Sequence, residues 1–239
     1  MMLSICSILF GSAFLGGIAV FFVKKDNANL LKLILSFSGA YLFSITVLHL
    51  IPEIYNANDA DHVGLFVLIG FLFQLLLEQF SEGVEHGHIH KHTHYYGPFP
   101  YGVMISLCLH AFLEGMPLAK GPQRELLFGI AIHHIPAAFA LGSLLVQSAA
   151  SKRNIVFCLV IFALMAPLGF FTSTAISNGG IGEIEKYFNK MMAIVIGIFL
   201  HISTTILFES SSADHHHFNK KKLIAVLLGV GISLLSDML

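Results

Sequence analysis

Eight long apolar runs, separated by short polar segments, constrain this chain of 239 residues more than any other feature of its sequence. A helix needs about 20 consecutive apolar residues to cross the hydrocarbon core of a bilayer, where every backbone polar group must be satisfied internally. The runs lie at roughly 2–23, 30–52, 62–81, 98–118, 125–147, 154–176, 188–209 and 222–238. They predict an all-α integral membrane protein with eight transmembrane helices, formed as a single domain over residues 1–239.

The composition supports this prediction and excludes several classes of protein. Hydrophobic residues make up 56% of the chain and charged residues only 11%, whereas about 25% of the residues in an average soluble domain are charged. A soluble globule of this size cannot bury so much apolar surface. The formal net charge is −1, so the chain has no basic field that would attract nucleic acid.

The distribution of basic residues predicts the orientation in the membrane. Segments that follow the odd-numbered runs carry nine of the 13 basic residues: Lys24, Lys25, Lys32, Lys91, Lys152, Arg153, Lys220, Lys221 and Lys222. The other four are Lys120, Arg124, Lys186 and Lys190. Because cytoplasmic loops carry an excess of Lys and Arg, this bias predicts cytoplasmic connections after the odd-numbered runs and both termini outside the cytoplasm.

The fourth run contains a histidine and a glutamate, His110 and Glu114, four residues apart. On a helix this spacing places both side chains on one face, one turn apart. Ionisable side chains at bilayer depth are expensive and indicate a functional site. An imidazole and a carboxylate on one face form half of a site for a divalent metal of borderline softness. Pro117 lacks an N–H for the carbonyl of Leu113 and is expected to loosen the helix beside the pair.

The fifth run contains a second His-Pro combination, with His133 and His134 just before Pro136. Two consecutive runs that each combine histidine with proline predict broken helices lining a cavity, as in the binding sites of transporters. Neighbouring residues on a helix point about 100° apart, so these two histidines are not expected to bind one ion on equal terms. The residues predict a metal site made of His110, Glu114 and His133, with His134 as a further candidate.

Other ionisable residues in or near the runs are candidates for a metal pathway. His49 and Glu53 lie at the outer end of the second run, Glu78 ends the third, and His201 and Glu209 lie on the seventh. Each is either a residue of the pathway or a polar anchor near the membrane surface.

Two connections predicted to be cytoplasmic are rich in histidine. The first, 82–97, contains His86, His88, His90, His92 and His94, and the second, 210–222, contains His215, His216 and His217. Together they hold eight of the 14 histidines of the chain. Repeated histidines in a loop are a compositional signal for metal binding, and imidazole is mostly neutral and free to ligate at neutral pH.

Taken in order, these motifs resemble those of the ZIP family of zinc and iron transporters over essentially the whole chain. The second run ends in a family-like segment, Gly39 followed by His49-Leu50-Ile51-Pro52-Glu53. The fourth run is similar to the family pattern His-(Asn/Ser)-x-x-(Asp/Glu)-Gly, and the fifth to His-Glu-x-Pro-Glu. The sixth run contains the family-like Pro167-Leu168-Gly169.

Three alanines depart from the family pattern. Ala137 replaces the bridging glutamate after the proline of the fifth run, Ala111 replaces the amide after the histidine of the fourth, and Ala166 replaces a carboxylate often found before the proline of the sixth. The resemblance therefore implies a two-metal centre reduced to a single ion, with His134 or freed backbone carbonyls as additional candidate ligands.

The resemblance also implies a function: uptake of a divalent metal from outside into the cytoplasm, through a multi-pass protein of the cell membrane (the inner membrane in a Gram-negative source). It implies alternating access, with spans 1, 4, 5 and 6 sliding against spans 2, 3, 7 and 8, in a homodimer. The metal is then a transported substrate and no catalytic cofactor is expected. Nitrogen-rich ligands favour Zn²⁺, although affinity order does not by itself exclude Fe²⁺, Mn²⁺ or Cd²⁺.

Two other functions remain open from the residues themselves. A membrane-embedded zinc hydrolase would also place histidine and carboxylate on several spans around an activated water, but the sequence contains no His-Glu-x-x-His. A haem or quinone protein with two axial histidines would not account for Glu114 or for the loop histidines. We therefore expect a transporter and not an enzyme.

Overall fold

A computed structural model of the chain describes residues 2–22, 28–56, 62–81, 83, 99–120, 124–178, 184–212 and 220–236. Within these residues the chain forms nine α-helices: α1 (Met2–Ile18), α2 (Ala28–Ile45), α3 (Ile51–Tyr55), α4 (Val63–Ser81), α5 (Tyr101–Gly115), α6 (Arg124–Gln147), α7 (Lys152–Asn178), α8 (Ile184–Ser212) and α9 (Lys220–Ser236). Short 3₁₀ segments continue α1 (Ala19–Phe21) and α5 (Met116–Lys120), and a π-helical turn (Thr46–Leu50) joins α2 to α3.

Each predicted run coincides with helix, and the second run comprises α2, the π-helical turn and α3 together. Seven of these segments are long and apolar enough to cross a membrane. The eighth run forms α9, whose 17 residues correspond to the shortest helices that span the hydrocarbon core. The protein is therefore an all-α membrane protein, as the hydropathy pattern predicts.

The long helices pack into two groups. In the first bundle, α1 packs against α6 and α7, and α5 packs against α7. In the second bundle, α2 packs against α8 and α9, and α4 packs against α8. The bundles meet where α2 contacts α6, where α4 contacts α5, and where α8 contacts α7 and the 3₁₀ segment after α5. One of the two apolar cores lies entirely within the first bundle, so this group of helices has its own internal packing.

Reciprocal glycine contacts hold two of the helix pairs close together. Between α4 and α8, a Cβ atom on Gly197 would collide with the carbonyl oxygen of Val67, and one on Gly70 with that of Ile194. Small residues let helix backbones approach closely in membranes, where lipid supplies no hydrophobic force between helices. These glycines therefore fix the spacing of the pair.

The same arrangement occurs between α5 and α7, next to the residues predicted to bind metal. A Cβ atom on Gly115 would meet the carbonyl oxygen of Ala166, and one on Gly169 that of Phe112. Because Gly115 directly follows Glu114, this contact fixes the position of the glutamate's helix against α7.

The two prolines of the predicted broken helices have different effects. Before Pro117, α5 ends at Gly115 and the chain tightens into a 3₁₀ segment, where the N–H of Met116 donates to the carbonyl of Leu113. The prediction of a break is wrong for α6, which continues through Pro136 to Gln147. Its neighbour α1 packs against the turn before this proline, with Gly16 against the backbone of Ile135, and such packing allows proline within a transmembrane helix.

The α4–α8 crossing gives a direct test of the packing. Gly197→Ala is expected to lower the free energy of unfolding by about 1–3 kcal/mol, because overpacking forces the backbones apart. Gly231→Ala in α9 is the matched control, since a Cβ atom there meets nothing within 4 Å, and it should leave stability unchanged or slightly raised. Thermal unfolding in detergent, followed by helical circular dichroism, compares the two; equal melting temperatures would contradict close packing at Gly197.

Candidate metal centre

The predicted pair on α5 is buried and in contact. His110 is 1% exposed and Glu114 is 0% exposed, and the Nε2 atom of His110 lies 3.0 Å from the Oε1 atom of Glu114. The helical spacing of four residues brings the two side chains together, as expected from the sequence.

Two buried histidines of α6 complete the cluster. His133 is 0% and His134 is 1% exposed. The ring of His133 stands nearly perpendicular to that of His110, with 5.8 Å between ring centroids. One potential ligand atom from each of His110, Glu114 and His133 lies within 4.8 Å of the other two. The structure thus brings together the three residues on which the sequence prediction depended.

The neighbouring histidines of α6 contact the cluster differently. His133 contributes to the three-residue group, whereas the Nε2 atom of His134 lies 2.7 Å from the second carboxylate oxygen, Oε2, of Glu114. Because a carboxylate only accepts hydrogen bonds, Nε2–H of His134 is the donor. Glu114 therefore directs one oxygen at His110 and the other at His134.

His133 differs from the other members in its hydrogen bonding. Neither of its ring nitrogens has a hydrogen-bond partner among the residues that the structure describes. A buried polar group without a partner costs free energy, so the position is suited to a ligand atom that is satisfied when a metal binds. Two imidazoles and one carboxylate form a ligand set that suits Zn²⁺.

A further polar residue, which the sequence analysis did not single out, contacts the cluster from the second bundle. Gln74 of α4 is 0% exposed, and its Oε1 atom lies 3.2 Å from the Nδ1 atom of His110. The sequence feature that could have identified Gln74 is its position: it is an amide in the middle of an apolar run, four residues before Glu78. Nearby, the hydroxyl of Ser106 on α5 donates to the carbonyl of Leu77 on α4, at 2.8 Å.

Two of the candidate pathway residues form a pair of their own. The Nε2 atom of His201 on α8 lies 2.6 Å from the Oε2 atom of Glu78 on α4. The rings of Phe71 and His201 pack nearly perpendicular to each other, with 4.9 Å between ring centroids. Since Gln74 and Glu78 are one turn apart on α4, this pair lies one helical turn along from the contact with His110.

The other candidate residues lie apart from the cluster or outside the described residues. His49 is half-buried within the π-helical turn and Glu53 is exposed in α3. Glu209 belongs to α8, but its side chain is outside the described part. The loop histidines also lie outside the described residues: His86, His88, His90, His92, His94, His215, His216 and His217.

The three alanines that depart from the family pattern are all buried in apolar packing. Ala111 and Ala137 are 0% and 1% exposed and belong to the core of the first bundle. Ala166 is buried where α7 meets Gly115. Methyl groups offer no ligand atom, so these positions add none to the cluster.

Comparison with known proteins identifies a matching family and several relatives. A family model described as ZIP zinc transporter matches residues 1–100 and 85–237. Zinc transporter ZIP9 of Xenopus tropicalis is 26% identical over 168 residues, which cover 64% of this chain and 55% of the relative. Zinc transporter ZIP1 of Bos taurus is 26% identical over 265 residues, which cover 90% of this chain and 80% of the relative.

Zinc transporter ZIP2 of Homo sapiens is 26% identical over 186 residues, covering 62% of this chain and 59% of the relative. The chain spans just over half the length of the ZIP9 relatives that it matches. The residues matched by the family model make up nearly the whole sequence, and the chain therefore belongs to the ZIP zinc transporter family.

Proposed function

We propose that the protein carries a divalent metal, principally Zn²⁺, from outside into the cytoplasm through the cluster of His110, Glu114 and His133. The observation that carries the proposal is a fully buried three-residue group, inside an apolar helical bundle, in which His133 has two ring nitrogens without a partner among the described residues. Family membership supports transport, and the relatives above are named zinc transporters.

The ligand set has the properties that a transport site needs. Three protein ligands bind Zn²⁺ strongly but leave a fourth tetrahedral position for water, as in open zinc sites. Such a site removes most of the ion's hydration shell and still releases the ion, which conduction requires. Nitrogen-rich coordination favours Zn²⁺ over Mn²⁺, and transport of Fe²⁺ and Cd²⁺ depends on geometry and availability as well as affinity.

We propose a single ion at this centre. The Oε1 atom of Glu114 faces His110, while Oε2 accepts a hydrogen bond from His134. A second ion on Oε2 would have to displace His134, and the buried side chains of Ala111 and Ala137 would offer it no ligand. In this proposal His134 is a positioning residue for Glu114, and His110, Glu114 and His133 bind the metal.

The two bundles suggest how the ion is exposed alternately to each side. The proposed metal-binding residues lie on α5 and α6 of the first bundle, which has its own apolar core. The other apolar core is shared by both bundles, and we propose that the first bundle slides along this shared apolar surface. His49 and Glu53 would lie at the outer entrance, and Glu78, His201 and Glu209 on the inward path. The histidine-rich segments 82–97 and 210–222 would then receive metal in the cytoplasm, with both termini outside.

The same proposal covers the setting of the protein: one domain over residues 1–239, in a cell membrane, as a homodimer. The membrane-embedded zinc hydrolase that the residues alone leave open is less well supported, because the family model that matches describes transporters. No nucleic acid and no catalytic cofactor enter this function.

Zinc uptake into liposomes tests the proposed transport. Purified protein in vesicles that enclose a fluorescent zinc indicator is expected to give a saturable signal when Zn²⁺ is added outside. His110→Ala and His133→Ala should each abolish this signal, because each removes one of three metal ligands.

His62→Asn is the matched control for these variants. His62 is exposed and has a φ of 62°, a conformation that asparagine tolerates, so uptake should be unchanged. Vesicles that contain folded wild-type protein and accumulate no zinc would contradict transport. Undiminished uptake by His133→Ala would instead contradict the assignment of the site.

Counting the bound metal tests the single-ion proposal. With the eight loop histidines replaced by serine, the protein is expected to bind one Zn²⁺ per chain, measured by elemental analysis after gel filtration. Ala137→Glu, which adds a carboxylate one turn beyond His133, should increase this number. Two ions in the protein without Ala137→Glu would contradict a single-ion centre.

The neighbouring histidines of α6 are expected to respond differently to substitution. His133→Ala should eliminate measurable zinc binding, whereas His134→Ala should retain one ion with about 10- to 100-fold weaker affinity, the usual effect of losing a positioning partner. His134→Gln keeps an N–H donor for Glu114 and should restore much of the affinity. Titration against a chromophoric zinc chelator measures the zinc affinity of all three variants. Equal losses of affinity in His133→Ala and His134→Ala would contradict the proposal that His133 binds the metal and His134 positions Glu114.

A further inference from the structure

The buried amide of Gln74 contacts a proposed metal ligand from the opposite bundle, because Gln74 lies on α4 and His110 lies on α5. We infer that Gln74 is a positioning residue: it orients the ring of His110 for metal binding, and it does so only while the two bundles hold the relative position seen in this structure. This inference rests on the proposed function and extends it to the control of metal affinity.

The contact determines which nitrogen of His110 is available to a metal. A neutral imidazole has one N–H donor and one acceptor nitrogen, and the carbonyl oxygen of the Gln74 amide accepts at 3.2 Å from Nδ1. With its proton on Nδ1, His110 presents the lone pair of Nε2 on the side of Glu114 Oε1, 3.0 Å away. Two acceptor atoms at that separation repel each other unless a cation lies near both, so this tautomer favours a bound metal ion.

Burial raises the free-energy cost of rotating the His110 ring away from Gln74. Gln74 and His110 are 0% and 1% exposed, and rotating the ring would cost a hydrogen bond that no bulk water can replace. Metal-bound histidines commonly donate their other N–H to an orienting partner. A neutral amide in this role orients the ring without the added negative charge of a carboxylate, which suits a site that must also release its ion.

Because Gln74 lies on the second bundle, the orientation of the His110 ring depends on the relative position of the two bundles. In the first bundle α5 packs on α7, whereas α4 packs on α8 in the second. Movement of one bundle along the other would separate Gln74 from His110, since a hydrogen bond weakens within a few tenths of an ångström. The high-affinity tautomer of His110 is therefore specific to one relative position, and metal affinity falls when the bundles shift.

Zinc titration of a matched pair of variants tests the inference. Gln74→Leu removes the amide, and Ser106→Ala removes a different hydrogen bond between α4 and α5, from Ser106 to Leu77, without changing a proposed metal ligand. In protein whose loop histidines are replaced by serine, Gln74→Leu is expected to weaken zinc binding about 10- to 100-fold with one ion still bound. Ser106→Ala should leave the affinity unchanged.

A conservative variant and a spectroscopic measurement separate orientation from simple packing. Gln74→Glu keeps an acceptor oxygen at the same reach and should bind zinc at least as tightly as the wild type. In zinc-free protein with ¹⁵N-labelled histidine at pH 8, the His110 signal, identified by its loss in His110→Ala, should show a protonated Nδ1. In Gln74→Leu the proton should move toward Nε2.

The possible outcomes distinguish this inference from the proposed function. Unchanged zinc affinity in His110→Ala would overturn the proposed site whatever Gln74 does. Loss of binding in His110→Ala, together with equal effects of Gln74→Leu and Ser106→Ala and an unchanged His110 tautomer, would overturn only the role of Gln74. If Gln74→Leu does not fold, Gln74→Asn, whose amide is one methylene too short to reach His110, is expected to give the same weakening.

Discussion

The buried carboxylate of Glu114 is the group on which the arrangement of the centre depends. A carboxylate without polar neighbours at this depth would be very costly, so the fold must place polar groups around it. His134 from α6 donates a hydrogen bond to Oε2, while Oε1 lies 3.0 Å from the Nε2 atom of His110 on the same helix. The contact between Glu114 and His134 links α5 to α6, and His133 lies beside it with both ring nitrogens lacking a hydrogen-bond partner among the described residues.

Close backbone packing around the centre fixes the positions of the helices that carry its side chains. Gly115, next to Glu114, lies against the backbone of α7, and Gly169 returns the contact from α7 to α5. Close helix approach of this kind leaves little freedom for sliding within the first bundle. Between α4 and α5 the contacts include a close approach of Gly102 to the carbonyl oxygen of Phe80 and two hydrogen bonds, from His110 to Gln74 and from Ser106 to Leu77.

Much of the fold follows from the sequence because hydrophobic length is a local property. The predicted runs agree with the helices to within a few residues, and His110 and Glu114 meet because a helix repeats every 3.6 residues. The break predicted at Pro136 does not occur. Proline removes one local hydrogen bond, but the packing of Gly16 against Ile135 keeps α6 continuous there, and the sequence of α6 contains no information about that neighbour.

By itself, the sequence determined the helices, the polar residues that lie on them within the membrane, and the pairing of an imidazole with a carboxylate on one helix face. Only the tertiary structure decided which of His133 and His134 joins the candidate group of His110 and Glu114, and which residues of other helices contact it. Gln74 and His110 are 36 residues apart, and Glu78 and His201 are 123 apart. No helical periodicity relates residues so distant, and their contacts arise from the packing of one helix against another.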